Sequence, residues 1–387
     1  MKKVLSILLS VMLVAIMVAG CASSKPSSTP AAPETIKIGV FEPLTGANAA
    51  GGELEVEGMK LANKLYPEVL GKKVELVVVD NKSDKAEAAS AAARLIEKDK
   101  VSAIIGSWGS GYSIAAGNIV KEKKVPAVGA SCTNPLVTQG NDYYFRVCFI
   151  DPFQGTVMAR YAFNKLGAKK AAIIQEVSND YAVGLASFFK AEFVKLTGDP
   201  NSVVETSNYQ TGDNDFSAQL TNVKSKNPDV IFAPGNFTES ALIIKQAKKL
   251  GIKTPFIGGD TWETDEFLKV GGAEVEGAVF STFFDPSVTM TPESTKFLDE
   301  YKKAYPGKEP AAVTALGYDA YILILDAMKR ANSSDPVKIR EALAATKDFP
   351  GAAGPITLDV NGDAVKDAVI KTVKGGKFTY MDTVKAK

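Results

Sequence analysis

The chain contains no histidine. That absence excludes every serine–histidine and cysteine–histidine catalytic arrangement and removes the commonest zinc ligand. Cysteine is scarce, with three in 387 residues, at Cys21, Cys132 and Cys148. Neither sign of charge predominates: without Lys2 and Lys3 the count is 43 basic residues against 44 acidic ones. A nucleic-acid partner would call for a basic excess or a basic stripe, so none is expected. The leading apolar stretch, Val4 to Ala19, is about 16 residues long, where a membrane-spanning helix needs roughly 20.

That stretch follows Met1-Lys2-Lys3 and ends in Val18-Ala19-Gly20-Cys21. A charged start, a short apolar run and a small-residue exit are the parts of a secretory signal. The cysteine directly behind the small residues resembles the lipobox of bacterial lipoproteins, which implies cleavage before Cys21 and lipid on its thiol. Residues 1–20 are then the signal and residues 21–33, rich in Ser, Pro, Thr and Ala, a flexible tether. The expected location is extracytoplasmic, anchored to the membrane through lipid on Cys21. In that oxidising setting Cys132 and Cys148 form either one disulfide or two buried thiols.

About 350 residues remain, beyond the roughly 250–300 that one hydrophobic core usually serves, so two domains are expected. From Ile36 onward short Val/Ile-rich runs alternate with helical patterns. Strands are expected at Ile36–Phe41, Val74–Val79, Val101–Ile105, Val125–Val128 and Tyr143–Phe149, apolar on both faces as parallel strands covered by helices should be. Helices are expected at Glu53–Tyr66 and at Asp84–Lys98, with Asp84 as N-cap. After Asp151-Pro152 the pattern restarts, with strands at Ala171–Gln175, Val203–Thr206, Val230–Ala233 and Phe256–Ile257 and helices between them. Beyond Val279–Phe284 come three helical segments, then strand patterns at Ile356–Leu358, Val369–Val373 and Phe378–Tyr380. The fold class is α/β, with two doubly wound parallel-sheet lobes. The last 100 residues make no core of their own, and no linker composition appears after Ala32, so the lobes are expected to exchange segments.

Ligands of open parallel sheets bind where strands end and helices begin. Four such loops stand out. Gly106-Ser107-Trp108-Gly109-Ser110-Gly111 lets backbone approach a ligand and opens a helix whose N-terminus suits a small anion. It lacks the Gly-Lys-Ser/Thr of a phosphate-binding loop and the Gly-x-Ser-x-Gly of a nucleophile elbow. Its Trp108 is a candidate cleft aromatic. Ala130-Ser131-Cys132-Thr133-Asn134-Pro135 supplies hydroxyls. Ser178-Asn179-Asp180-Tyr181 offers Tyr181, with Asp180 as a helix N-cap. Gly258-Gly259-Asp260-Thr261-Trp262 offers Asp260, either as a cap for a helix at Trp262–Leu268 or as a carboxylate facing a cation. Hydroxyls and a helix N-terminus on one side, with a carboxylate and an aromatic on the other, complement a zwitterion.

Taken in order, Ile36-Lys37-Ile38-Gly39-Val40 with Pro43-Leu44-Thr45-Gly46, Ile104-Ile105-Gly106, Ala130-Ser131-Cys132-Thr133-Asn134-Pro135, Asn179-Asp180-Tyr181-Ala182-Val183-Gly184 and Phe256-Ile257-Gly258-Gly259-Asp260 resemble the substrate-binding lipoproteins of ABC importers. The similarity is greatest to the leucine/isoleucine/valine-binding branch of the type I periplasmic binding proteins. The resemblance implies two lobes joined by three crossovers, near Ile150-Asp151, Thr282–Asp285 and Thr357–Val360. It places residues 34–151 plus 284–357 in an N-terminal lobe and 152–283 plus 358–387 in a C-terminal lobe. It implies an α-carboxylate held by Ser110 and Thr133, an α-ammonium held by Asp260 and a carbonyl near Ser131, and Tyr181 in the cleft. Departures are Asp260 in place of a longer glutamate, Gly51 where a tyrosine is usual, Asn236 where an aromatic is common, and the added bulk of Trp108 and Trp262. The implied function is capture of a small amino acid, branched-chain or related, and its delivery to the permease and ATPase subunits of an importer. The alternative is a sensor that presents the solute to a membrane receptor. Neither catalysis nor a cofactor or metal is expected.

Overall fold

The structure, a computed structural model, describes residues 35–386. The signal, Cys21 and the tether lie outside the described residues.

The first sheet contains β1 (Ile36–Glu42), β2 (Glu68–Val69), β3 (Lys72–Asp80), β4 (Ala103–Ile105), β5 (Ala127–Gly129) and β6 (Tyr144–Arg146). Its spatial order is β2-β3-β1-β4-β5-β6. β1 is central, pairing in parallel with β3 from Ile36 against Val74 and with β4 from Ile38 against Ala103. The second sheet begins with β7 (Ala171–Glu176), β8 (Val203–Tyr209), β9 (Val230–Phe232), β10 (Phe256–Gly258) and β11 (Val279–Thr282). A small hairpin, β12 (Phe349–Gly351) with β13 (Gly354–Ile356), stands apart. The chain then adds β14 (Ala368–Lys374) and β15 (Lys377–Val384) to the second sheet, giving β15-β14-β11-β10-β9-β7-β8. Antiparallel pairing in the two large sheets is confined to these added strands and to β2. The expected doubly wound α/β architecture is present, with a mixed edge on each sheet.

Helices α1 (Ala49–Leu65), α2 (Lys85–Glu97) and α3 (Ser110–Lys123) follow β1, β3 and β4. α4 (Asp151–Arg160), α5 (Asp180–Thr197), α6 (Ser217–Lys226), α7 (Phe237–Lys249) and α8 (Asp265–Gly271) serve the second sheet; α9 (Pro292–Ala304), α10 (Ala312–Ala331) and α11 (Pro336–Ala344) complete the set. The caps are chemical. Asp84 accepts the N–H groups of Ala86 and Glu87, and Thr291 with Ser294 forms a capping box ahead of α9, which has proline in its first turn.

α10 returns to the first sheet and packs along α1. The two helices approach closely because Gly58 and Gly317 face backbone. A Cβ at Gly58 would lie 1.9 Å from the Thr314 carbonyl oxygen, and one at Gly317 would lie 2.2 Å from that of Glu55.

The chain passes between the sheets three times, after β6, after β11 and before β14. Buried ion pairs pin two of these passages. Arg146 Nε lies 2.6 Å from Asp363 Oδ1, and its Nη atoms donate to the carbonyls of Cys132 and Asn134 and to the Thr138 hydroxyl. Lys371 lies 2.7 Å from Glu263 and 3.1 Å from Asp285. Burial works against ionisation of Asp285, yet Lys371 holds its carboxyl below the usual range.

Several boundaries differ from expectation. α1 begins four residues before Glu53, with Asn48 at its N-cap position. Tyr143–Phe149 is a strand only over Tyr144–Arg146, after which the chain leaves the sheet. The strand expected at Ile356–Leu358 ends at Ile356, as half of the β12–β13 hairpin. Cys132 and Cys148 are two buried free thiols.

Candidate functional site

The loops at the carboxyl ends of both sheets face one another across a cleft of about 250 Å³. That lies just below the ~300–1,000 Å³ usual for ligand pockets, so its occupant is small. The first sheet contributes Asn48, Ser83, Lys85, Trp108, Ser110, Tyr112 and Ser131, and the second contributes Glu176, Asn179, Asp180, Tyr181, Thr211, Asn236 and Asp260, among others.

Gly109, at φ +90, precedes α3, and a Cβ there would lie 2.9 Å from the Tyr112 ring. Glycine at this bend opens the N-terminus of α3 toward the cleft. Ser110 is therefore the first helical residue and not the cap. Its Oγ accepts the Asn134 N–H at 3.1 Å, tying the first-lobe loops together. Trp108 packs over Gly51, whose missing side chain leaves the room, and its ring lies 5.8 Å from that of Phe237 in the opposite lobe. The Ser131 hydroxyl donates to Glu55 behind the loop.

In the second lobe Asp260 is 3% exposed and sits in a short 3-10 turn. Its Oδ1 accepts Gln154 Nε2 at 2.8 Å and the Tyr181 hydroxyl at 3.0 Å, while Gln154 also donates to Ser281 at 3.0 Å. Burial pushes the Asp260 carboxyl up to about 6, against these two bonds. Asp260 thus faces the cleft; the following helix is capped by Thr264. Asn179, not Asp180, caps α5, leaving Asp180 Oδ2 to meet Lys85 Nζ at 2.6 Å across the cleft. Asn236 donates to Asn48 Oδ1 at 2.9 Å and accepts from Asn179 at 3.2 Å. Asn134 donates to the Asp180 carbonyl at 2.8 Å. These bridges hold the two lobes closed on one another.

The structure thus brings Trp108, Ser110, Ser131, Tyr181, Asn236 and Asp260 together in one lining. Thr133 lies beneath it, fully buried. Its carbonyl accepts the Asp151 N–H at 3.0 Å, and its hydroxyl sits beside the Asp151 carboxyl, which burial pushes up to about 8. Trp262 does not add bulk to the cleft; it is buried against Phe267, with ring centroids 4.9 Å apart. Sequence reasoning missed Asn48, Lys85, Tyr112, Glu176 and Gln154. The first four follow expected strand ends and were open to the same loop argument. Gln154 sits inside a helix, and nothing in the sequence marks it.

Two facing α/β lobes with a small polar cleft at their strand ends define a class of solute receptor. The chain belongs to the periplasmic binding protein family, whose profile matches residues 35–377. It falls in the leucine/isoleucine/valine-binding branch of the type I fold. This is a family of solute-binding proteins rather than enzymes, and its members are extracytoplasmic. Leu/Ile/Val-binding protein homolog 1 of Brucella suis is 30% identical over 354 residues, covering 89% of this chain and 93% of that protein. Among solved structures, the leucine-binding protein LivK of Thermotoga maritima is 45% identical, with a TM-score of 0.87 over 90% of this chain and 99% of that one. LivJ of Streptococcus pneumoniae, a branched-chain amino acid transporter substrate-binding protein solved with isoleucine, is 35% identical, with a TM-score of 0.85 over 91% and 100% of the two chains. Among the described residues no helix is long and apolar enough to cross a membrane.

Proposed function

We propose that this protein captures a small aliphatic amino acid between its lobes and delivers it to the permease of an ABC importer. One observation carries the reading: the Asp260 carboxylate and the Ser110 end of α3 line the same small cleft from opposite lobes. The ligand's carboxylate takes the α3 N–H groups and the Ser110 hydroxyl, with Thr133 reached by a small movement of its loop. Its ammonium takes Asp260 and a carbonyl beside Ser131, and its side chain packs on Trp108 and Tyr181. The complex of LivJ with isoleucine supports this ligand class. Residues 34–151 plus 284–357 and residues 152–283 plus 358–387 are the two lobes that open and close, and lipid on Cys21 keeps the protein near its permease.

A thermal-shift screen of residues 34–387 against the twenty amino acids tests the reading. Ligand at 100 times its Kd adds about 2.7 kcal/mol. Stabilisation by leucine, isoleucine or valine is the expected result, and silence from every amino acid would overturn it. Asp260→Ala should weaken binding by at least about 2 kcal/mol, measured by calorimetry, because a desolvated ammonium loses its counter-charge. Unchanged affinity would remove Asp260 from the site.

A further inference from the structure

Behind the two ligand-facing loops of the first lobe lies a pair of carboxyl groups. Glu42 ends β1 and Glu55 sits in the second turn of α1; both are completely buried. Glu42 Oε2 accepts the Trp108 backbone N–H at 2.6 Å and the Ser107 hydroxyl at 3.3 Å. Glu55 Oε1 accepts the Ser131 hydroxyl. One carboxyl therefore holds the 106–111 loop and the other holds the 130–134 loop. Each carboxyl acts electrostatically on the other, and among the described residues the buried Glu42 Oε1 and Glu55 Oε2 are both left without a hydrogen-bond partner.

Both groups are hydrogen-bond acceptors when ionised, so a proton on one of them is what would satisfy these two oxygens and spare the fold two buried like charges. Among the described residues neither carboxyl is in an ion pair; Arg146, which shares the neighbours Cys132 and Tyr144 with them, is engaged by Asp363. The other titratable groups acting on the pair are Cys132 and Asp260, each of which would add negative charge. Tyr144, also near Glu42, donates to the Gly106 carbonyl. On α10, packed against α1, Asp319 is engaged by the N–H groups of Ala352 and Ala353 and by Lys366 at 3.8 Å.

We propose that Glu42 and Glu55 share one proton and act as positioning residues for both ligand-facing loops, so that ligand affinity depends on that proton being retained. The affinity half of this inference rests on the amino-acid reading of the cleft. Deprotonation sets two buried anions against each other and loosens the hold on Trp108 and Ser131 together. Burial pushes Glu55 up to about 8 and Glu42 up as well, which puts the loss on the alkaline side.

Two measurements test it. The first is infrared difference spectroscopy of the ligand-free protein at neutral pH. Beside the band of Asp151, which is also held protonated by burial and should persist, one protonated-carboxyl band of the wild type should disappear in both Glu42→Gln and Glu55→Gln. If neither variant loses such a band, the shared proton is refuted. The second is the affinity for L-leucine by calorimetry. Wild-type affinity should fall on the alkaline side of neutral, about tenfold for each pH unit beyond the midpoint of the pair's titration. In Glu55→Gln, whose amide can donate to Glu42 without a titrating proton, that alkaline limb should flatten. The ligand's own ammonium titrates equally in both proteins. An undiminished alkaline limb in Glu55→Gln would show that the pair does not control affinity. A lost infrared band with no leucine binding at any pH would defeat the amino-acid reading and the affinity half, while the proton-sharing pair would stand.

Discussion

Trp108 occupies the cleft because residue 51 has no side chain. A Cβ at Gly51 would lie 2.3 Å from the indole, inside any tolerable contact. The Trp108 ring fills that space from the loop after β4 and bridges to Phe237. Gly51→Ala should therefore push Trp108 toward the cleft and cost about 1–3 kcal/mol of stability by overpacking. Ligand affinity should fall with it, and Trp108→Phe in the same chain should restore part of both, as a double-mutant cycle by thermal melting and calorimetry would show. Additive effects would mean that the two positions are not coupled. Asp260 makes a second residue-scale prediction. Its carboxyl is pushed up to about 6 in the ligand-free protein, while an ammonium partner favours the ionised form. Affinity should be at its plateau near neutral pH and decline as pH falls below about 6, with proton release on binding in that acidic range. Calorimetry in buffers of different ionisation enthalpy reads this directly, and acid-independent affinity would count against the contact.

At the scale of elements, the close crossing of α1 and α10 decides whether the first lobe holds its shape. Gly317→Ala puts a methyl group against the Glu55 carbonyl oxygen, which is backbone and cannot swing away. The helices must separate, at a cost of about 1–3 kcal/mol, and Glu55 moves with them. The expected result is a lower melting temperature together with weaker ligand binding; wild-type values for both would show that the crossing has slack. This crossing also marks what the sequence could and could not convey. The strands of both sheets were legible, because Val/Ile runs apolar on both faces have little alternative in an α/β chain. Trp108, Ser110, Ser131, Tyr181 and Asp260 were legible because strand-end loops announce themselves by glycine and small polar residues. The burial of Glu55 was not. Charged residues in a helix read as its solvent face, and only the return of α10, more than 250 residues later in the chain, covers this one. Asp180 and Asp260 also read as caps, since the cap roles of Asn179 and Thr264 depend on where the first helical turn closes.

Across the whole molecule, buried carboxyl groups set the response to pH, and with no histidine present they act without that competing titration. Burial pushes Glu55 and Asp151 up to about 8 and Asp260 and Asp319 up to about 6; Glu42 and Glu239 move in the same direction. Unfolded carboxyls titrate near 4. Between about pH 4 and 8, then, the folded protein holds more protons than the unfolded chain, and stability falls as pH rises. The stabilising contribution of each group is complete below its unfolded value and is lost as pH climbs through its folded value. Groups shifted the other way, such as Glu97 and Glu300 in their surface ion pairs and Asp285 beside Lys371, contribute stability that is already present above about pH 5, so they do not reverse the trend. The melting temperature of the ligand-free protein should therefore decline steadily from about pH 5 to about 9. Glu55→Gln should lessen the upper part of that decline, which Asp151 continues to supply, and leave the part near 6 in place. A melting temperature that is level or rising through this range in the wild type would show that the buried carboxyls are ionised in the folded state, and that the fold solvates them in a way this packing does not provide.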